Sequence, residues 1–183
     1  LEDLKKEYDL IESSGVLHHI EDPKKGFNVL SNKLKSNGIM KISLYARSFR
    51  NILKPTKEFL KERKFTSDIN SIRLARKEIM ESDQQDLYHR NVDFYSASTF
   101  IDLFMHEQEV DFNIQEFAEI FKEDFNFIGF QFPNSTKHFV LTEYKKAFGS
   151  DSNLTNLNNW SRLERENDKI FSSMYSAYLQ KKA

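Results

Sequence analysis

The sequence predicts a mixed α/β fold, in which a β-α-β unit and a later strand accompany a large helical insertion and a long final helix. Seventeen Phe against three Pro and five Gly favour a helix-rich body with a large apolar core. Its 183 residues are enough for one ordinary domain. We expect a β-α-β part over 1–46, a mainly helical part over 47–124, and a last strand with carboxyl-terminal helices over 125–183.

The β-α-β unit is predicted from alternating apolar and turn signals. Residues 8–13 resemble a short buried strand that ends at Ser13-Ser14-Gly15. Asp22-Pro23 is a good helix start, because Asp caps well and Pro fits the first helical position. Asn37-Gly38 is expected to end that helix, and residues 39–44 form the next strand.

The remaining elements follow from caps and periodicity. Thr66-Ser67-Asp68, Ser98 and Asn113 offer caps for three helices of the middle region. Residues 125–132 alternate well enough to form a third strand. The apolar spacing across Leu157–Lys181 predicts one final helix.

Composition excludes several classes of function. The net charge is −1, from 27 basic and 28 acidic residues, so we expect neither nucleic-acid nor membrane binding. No apolar run approaches the roughly 20 residues of a membrane span. The chain has no cysteine, which excludes disulfides and thiolate chemistry and fits a reducing, cytoplasmic location. The five glycines lie at least 11 residues apart, so no phosphate-cradling glycine loop is present.

Charge is unevenly distributed along the chain. Residues 35–64 carry nine basic and two acidic side chains, and residues 102–124 carry eight acidic and one basic. The basic stretch lacks interleaved stacking aromatics, which argues against nucleic acid. It is expected to pair with the acidic stretch or with an acidic neighbour.

Candidate site residues follow the two predicted parallel strands. Ligands bind beyond the carboxyl ends of such strands. The first end carries Ser13, Ser14 and Gly15, whose small side chains let a ligand approach the backbone. The adjacent imidazoles of His18 and His19 can act as a base, contact a ligand or hold the loop in position. Metal binding by this pair is not expected, because nothing else in the sequence has ligand spacing.

Several segments together resemble class I S-adenosylmethionine-dependent methyltransferases. Tyr8–Pro23 resembles the fourth strand and following loop of that family, and Leu34–Ile42 resembles its turn and fifth strand, with Ser36-Asn37 in place of Pro-Gly. The rest is similar to bacterial methyltransferases that are often fused to tetratricopeptide repeats. The matching pieces are Ile72-Arg73 with Arg76, Asp93–Ser96, Asp102–Glu109, Phe127–Phe130, Trp160, and Phe171 to Lys181.

The resemblance implies a fold, a cofactor and roles for residues. The fold would be the carboxyl-terminal half of a Rossmann-like methyltransferase sheet, and 1–46 would be the remnant of its cofactor-binding part. The cofactor would be S-adenosyl-L-methionine, and Ser13, Ser14, Gly15 and His19 would form the wall at its methionine end. The glycine-rich turn and ribose-binding acid of the family are not found in this sequence, so the fragment alone is expected to be inactive.

On the acceptor side, the resemblance suggests catalytic and substrate-binding residues. His18, His106 and Glu109 are the catalytic candidates, and Tyr95, Arg73 and Arg76 are the substrate-binding candidates. The alternatives are a salt-linked helix end for His106 and Glu109, a solvated helix face for the two arginines, and core packing for Tyr95.

The predicted function is methyl transfer to a small-molecule or protein acceptor. The alternative is a catalytically inactive, methyltransferase-like binding or regulatory module. The resemblance also implies that the first strand lacks one neighbour, so its exposed apolar edge offers a surface for dimerisation.

Overall fold

A mixed sheet organises the part of the chain that the computed structural model describes, which is residues 5–88, 92–106, 108–171 and 173–183. Its strands are β1 (Tyr8–Ser14), β2 (Leu34–Tyr45), β3 (Phe125–Phe130) and β4 (Met174–Lys181), in the spatial order β1-β2-β4-β3. β1 and β2 are parallel, and β4 is antiparallel to both of its neighbours. Of the segments quoted for the family resemblance, two include a residue outside the described ranges, at Glu107 and Ser172.

The β-α-β unit forms as predicted, with two differences: β1 is largely exposed rather than buried, because it lies at the edge of the sheet, and the second strand begins earlier than expected. Its helix α1 (Pro23–Ser31) begins where the Asp22 carboxylate accepts a hydrogen bond from the Lys25 N–H at 2.9 Å. The helix ends before Asn37, because Leu34 already pairs with Tyr8 of β1. Asn37 lies instead in a bulge of β2, where its φ is 61°.

The expected final helix over Leu157–Lys181 is wrong. Helix α9 (Leu157–Glu166) ends at Asn167, and the chain then returns to the sheet as β4. Tyr175, Ala177 and Leu179 are buried, while the residues between them are only half-buried. This alternation of every second residue is typical of a strand. The spacing of the apolar residues fits a helix as well as a strand. The segment forms a strand because it pairs with β2 on one edge and with β3 on the other.

The residues cluster into two compact units, which we call the first unit (residues 1–50 and 108–183) and the second unit (51–107). In the first unit, α1, α7 (Ile114–Phe121), α8 (Asn134–Phe148) and α9 share one core with the sheet. The sheet contributes the face of β2 that carries Met40, Ile42 and Leu44 and the residues of β4 that pair with them. As predicted, Asn113 caps α7, here in a reciprocal capping box with Glu116.

The described part of the second unit is helical and has buried aromatic side chains of its own. Helix α2 (Arg47–Glu62) begins in the first unit and continues into the second, and the others are α3 (Ile69–Met80), α4 (Gln85–Tyr88), α5 (Val92–Tyr95) and α6 (Ala97–Phe104). Asp68 caps α3 as predicted, and α6 starts after Ser96 rather than at Ser98. Buried rings of Tyr88, Phe94, Phe100 and Phe104 contact one another. Among the described residues, no helix has the length and apolar character needed to span a bilayer.

Residues of the basic stretch (35–64) form ion pairs with residues of the acidic stretch (102–124) within the first unit. This pairing is one of the two outcomes expected from the sequence. The Arg47 guanidinium lies 2.7 Å from the Asp111 carboxylate and 2.6 Å from that of Glu116. Arg50 forms a second ion pair with Glu109. These pairs join the start of α2 to the segment that leads into α7.

A hydrogen-bonded carboxylate in the loop between α8 and α9 makes the stability of the first unit depend on pH. Asp151 accepts hydrogen bonds from the Tyr144 hydroxyl and from the Asn156 N–H, the latter at 3.1 Å. The Tyr144 hydroxyl is the main reason that the pKa of Asp151 lies below its ordinary value. A depressed pKa in the folded state stabilises the fold above the ordinary pKa, and this contribution is lost as the pH falls through the folded-state value.

We therefore expect Asp151→Asn to lower the free energy of unfolding at neutral pH by about 1 kcal/mol. The variant should also lose less stability than the parent chain between neutral pH and pH values below the ordinary pKa of Asp. Urea titrations at both pH values measure this difference. Asp168→Asn, at an exposed carboxylate, is the matched control. Equal acid sensitivity of the Asp151 variant and the parent chain would contradict the assignment.

Candidate functional site

The carboxyl end of β1 forms a turn whose backbone is open to an approaching ligand. Ser13 is buried and Ser14 is exposed, because successive residues of the strand point to opposite faces. Gly15 follows with a left-handed φ of 71°, and a Cβ built on it would meet no atom within 4 Å. The Gly15 N–H donates to the Ser43 carbonyl at 3.2 Å, which holds the turn against β2.

A row of serine hydroxyls ties this turn to the neighbouring strands. The Oγ atoms of Ser14 and Ser43 are 2.9 Å apart, and those of Ser43 and Ser176 are 2.8 Å apart. The three residues pair across β1, β2 and β4. Sequence reasoning missed Ser43 and Ser176, because their role depends on the pairing of strands that are far apart in the sequence.

His18 is completely buried, in a short 3-10 helix (Leu17–His19) after the turn. Its ring stacks on that of Tyr45 with centroids 3.6 Å apart, and its Nδ1 accepts a hydrogen bond from the Tyr45 N–H at 3.3 Å. Its carbonyl accepts from the Val110 N–H at 2.8 Å. The residue therefore connects the loop after β1, the end of β2 and the segment before α7.

His19 packs edge-on against the same two rings. Its ring centroid lies 4.3 Å from that of His18 and 5.6 Å from that of Tyr45. Its Nδ1 is 3.4 Å from the Gln108 carbonyl oxygen. Unlike His18 it is only half-buried, so it is the imidazole of the pair that a ligand can reach.

Glu109 is the sixth predicted site residue of the first unit, and it forms an ion pair with Arg50. Arg50 is 2% exposed, and its guanidinium lies 4.2 Å from the centre of the Tyr45 ring, a cation–π distance. The Arg50 Nε donates to a Glu109 carboxylate oxygen at 2.9 Å. Tyr45 and Arg50 are functional candidates that sequence reasoning missed; Tyr45 is the last residue of β2, and Arg50 lies in the first turn of α2.

His106 and Glu109 are three residues apart in the sequence, but they do not lie together on a helix. Helix α6 ends at Phe104, and Met105 is its C-cap. The two residues therefore lie in irregular chain and belong to different compact units. The imidazole of His106 lies within the second unit, with its Nε2 3.6 Å from the Asp102 carboxylate.

The other predicted residues of the second unit have different degrees of exposure. Arg73 and Arg76 both lie on α3, where Arg73 is exposed and Arg76 is half-buried. The Arg76 guanidinium is 5.0 Å from the centre of the Phe100 ring, and burial lowers its pKa. Tyr95 is 53% exposed and packs edge-on against Phe94, so its ring is not core.

A sheet with parallel strands, a helical crossover and a small-residue turn at a strand's carboxyl end defines a Rossmann-like α/β protein. The family model described as methyltransferase domain matches residues 1–116. This chain belongs to that family, which confirms the family expected from the sequence. It is also 28% identical over 118 residues to an uncharacterized protein of Synechococcus sp., a match that covers 60% of this chain and 28% of that protein.

Solved structures support the same fold. The structure of PKMT2 from Rickettsia typhi matches 97% of this chain with a TM-score of 0.67 at 16% sequence identity. A second structure of PKMT2 from Rickettsia typhi, in complex with AdoHcy, matches 97% with a TM-score of 0.65 at 16% identity. This chain spans 36% and 37% of those two chains. The α/β methyltransferase fold expected from the sequence is confirmed, apart from the final helix corrected above.

The buried position of His18 predicts a specific stability effect. His18→Ala leaves the Tyr45 N–H without its acceptor and opens a cavity beside its ring, so we expect a loss of about 2–4 kcal/mol in unfolding free energy. His18→Asn places an oxygen near the position of Nδ1 and should recover part of that loss. Denaturant titration of the three proteins measures the order of stability. An Asn variant no more stable than the Ala variant would show that the hydrogen bond contributes nothing.

Proposed function

We propose that the chain takes part in S-adenosylmethionine-dependent methyl transfer and supplies the wall at the methionine end of the cofactor together with acceptor-side residues. The observation that carries the proposal is the left-handed, open Gly15 turn at the carboxyl end of β1. Membership of the methyltransferase domain family supports it. The complex of PKMT2 with AdoHcy, a protein of similar fold, also supports this choice of cofactor.

The residues at this turn fit the methionine end of such a cofactor. The space in front of Gly15 lets a ligand lie against the backbone, and the same loop carries the polar side chains of the exposed Ser14 and the half-buried His19. Ser13 is buried on the opposite face, so its contribution is through its backbone. When bound there, the cofactor would supply an electrophilic methyl group on a sulfonium centre.

His18, a catalytic candidate from the sequence, is better suited to positioning than to proton transfer. Its Nδ1 lone pair already accepts the Tyr45 N–H, so a neutral ring holds its proton on Nε2 and has no second lone pair for an acceptor's proton. Its stacking on Tyr45 fixes the ring further. In this proposal His18 holds the loop that carries His19 in place.

Glu109 has a similar role towards Arg50. The carboxylate neutralises a guanidinium that is almost fully buried beside Tyr45. A buried cation without such a partner is strongly destabilising. We assign Glu109 to the positioning of Arg50 and Tyr45, while His106, Arg73, Arg76 and Tyr95 are proposed as acceptor-side residues of the second unit.

A titration of S-adenosylhomocysteine tests the cofactor wall. In amide NMR spectra of this chain, we expect weak binding that shifts the signals of residues 13–19 and leaves those of β3 unchanged. Gly15→Ala should abolish the shifts, because a methyl group enters the open space and the left-handed backbone costs about 1 kcal/mol. Gly149→Ala is the control, since Gly149 has a right-handed φ of −59°.

Two outcomes would contradict the proposal. Shifts confined to residues far from the turn would place the ligand elsewhere. Equal shifts in the parent chain and the Gly15 variant would show that the open turn is not used, and would favour the inactive binding module.

The outer edge of β1 supports a further part of the proposal, which is association of two copies of this chain. Among the described strands β1 pairs only with β2, and its Leu10 is 63% exposed. An apolar edge strand is a template for pairing with another strand. We expect sedimentation velocity to show association that increases with concentration and that Leu10→Lys suppresses. Leu74→Lys, at an exposed leucine of α3, should not suppress it. A monomer at every concentration would contradict this part.

A further inference from the structure

A cavity of about 180 Å³ lies within the first unit, between the segment that follows β3 and the segment that leads into β4. The Gln131 N–H donates to the Ser176 carbonyl at 2.7 Å, which joins the two segments. Met174, at the start of β4, pairs with Tyr45, the last residue of β2. The cavity therefore lies beside the carboxyl end of a parallel strand, the edge at which α/β sheets bind ligands. Methyl transfer as proposed above assigns no ligand to it.

The size of the cavity limits its ligand to about one six-membered ring. Pockets for drug-sized ligands have volumes of roughly 300–1,000 Å³. An apolar cavity of about 150 Å³ is enough to hold benzene. The volume of this cavity, about 180 Å³, is much closer to the second value.

Aromatic and aliphatic side chains form the apolar part of the cavity wall. Ile170 and Phe171 are each 2% exposed, and Phe132 and Met174 are half-buried. The ring centroid of Phe132 lies 5.5 Å from that of Phe171 and 5.5 Å from that of Trp160. An aromatic ligand would extend this cluster, and ring pairs at such distances stabilise binding beyond the apolar area that they bury.

None of the described residues that line the cavity is charged. All of them belong to residues 125–136 or 170–180, and the sequence has no charged residue in either range, although 30% of the whole chain is charged. A charged ligand would lose its water here without gaining an opposite charge, which is costly. The wall therefore favours an uncharged ligand.

A row of hydroxyl groups reaches the cavity from the carboxyl end of β1. Ser176 lines the cavity, and its Oγ is 2.8 Å from that of Ser43, which is 2.9 Å from that of Ser14. A hydroxyl group can donate one hydrogen bond and accept two, so its contact with Ser43 leaves Ser176 able to bind a further polar group. Thr136 and Ser173 also line the cavity and carry hydroxyl groups.

We infer that this cavity binds a small uncharged phenol, a molecule with one aromatic ring and a neutral hydroxyl group. The ring contacts Phe132 and Phe171, and the hydroxyl group forms a hydrogen bond with that of Ser176. The inference does not depend on methyl transfer, because these contacts involve neither the cofactor nor residues 13–19.

Amide NMR titration of the whole chain with phenol, in the absence of cofactor, tests the inference. We expect phenol to shift the signals of residues 131, 132, 136 and 173–176. Benzoate keeps the ring but is charged at neutral pH, so it should bind at least tenfold more weakly. Toluene keeps the ring but lacks the hydroxyl group, so it should bind about fivefold more weakly.

Two variants test the wall of the cavity. Ser176→Ala should weaken phenol binding about fivefold and leave toluene binding unchanged, because only phenol uses the hydroxyl group. Ser135→Ala, at an exposed serine outside the cavity, should change neither. Thr136→Phe should abolish the binding of both ligands by filling the cavity. Thr142→Phe, at a half-buried threonine of α8 that does not line the cavity, is its control.

Each comparison has a result that would overturn the inference. Equal affinities for phenol and benzoate would contradict the preference for an uncharged ligand, and equal affinities for phenol and toluene would contradict the role of the hydroxyl group. Phenol shifts that persist in a folded Thr136→Phe variant would place the ligand outside the cavity. The comparison of phenol with toluene in Ser176→Ala decides the question even where Thr136→Phe does not fold. Absence of phenol shifts would overturn this inference alone, since S-adenosylhomocysteine tests the cofactor wall separately.

Discussion

The antiparallel pairings of β4 with β2 and β3 fix the geometry of the first unit. β4 places Tyr175 and Leu179 in the core opposite Leu44 and Met40, and Ser176 beside the hydroxyl of Ser43. β4 joins β3 to the same sheet as the β-α-β unit. The helices of the first unit then share one core with that sheet. Because these pairs join distant parts of the chain, their closure is entropically costly and depends on the apolar area that they bury.

The candidate site depends on this sheet. The two parallel strands end side by side, so the Gly15 turn, the His18 ring and the Tyr45 ring come together although they lie in separate parts of the sequence. The turn itself is held by hydrogen bonds to β2, while its outer side stays open. A rigid support beneath an accessible backbone is the arrangement that lets a ligand bind without ordering the loop first.

Local signals in the sequence predicted the parts of the fold that local chemistry determines. Asp22-Pro23 and Asn113 form caps as expected, because a cap needs only residues within one turn of itself. β4 was not predicted, since its apolar residues fit a helical as well as a strand period and only its partners select the strand. Likewise, the sequence predicted that the basic stretch would pair with the acidic stretch or with an acidic neighbour, but the particular pairing of Arg50 with Glu109 follows from the tertiary structure.

The buried polar groups of the first unit indicate why this end of the sheet differs from an ordinary core. Ser13, His18, Ser43 and Arg50 are buried at or just beyond the ends of β1 and β2. Apolar residues of similar volume would pack there at lower desolvation cost, so stability alone does not account for these side chains. Three of them instead fix a direction: His18 accepts from the backbone of β2, Ser43 bridges two hydroxyls, and Arg50 binds Glu109 beside Tyr45. Such directional contacts are what a loop needs when it must hold one conformation against a ligand.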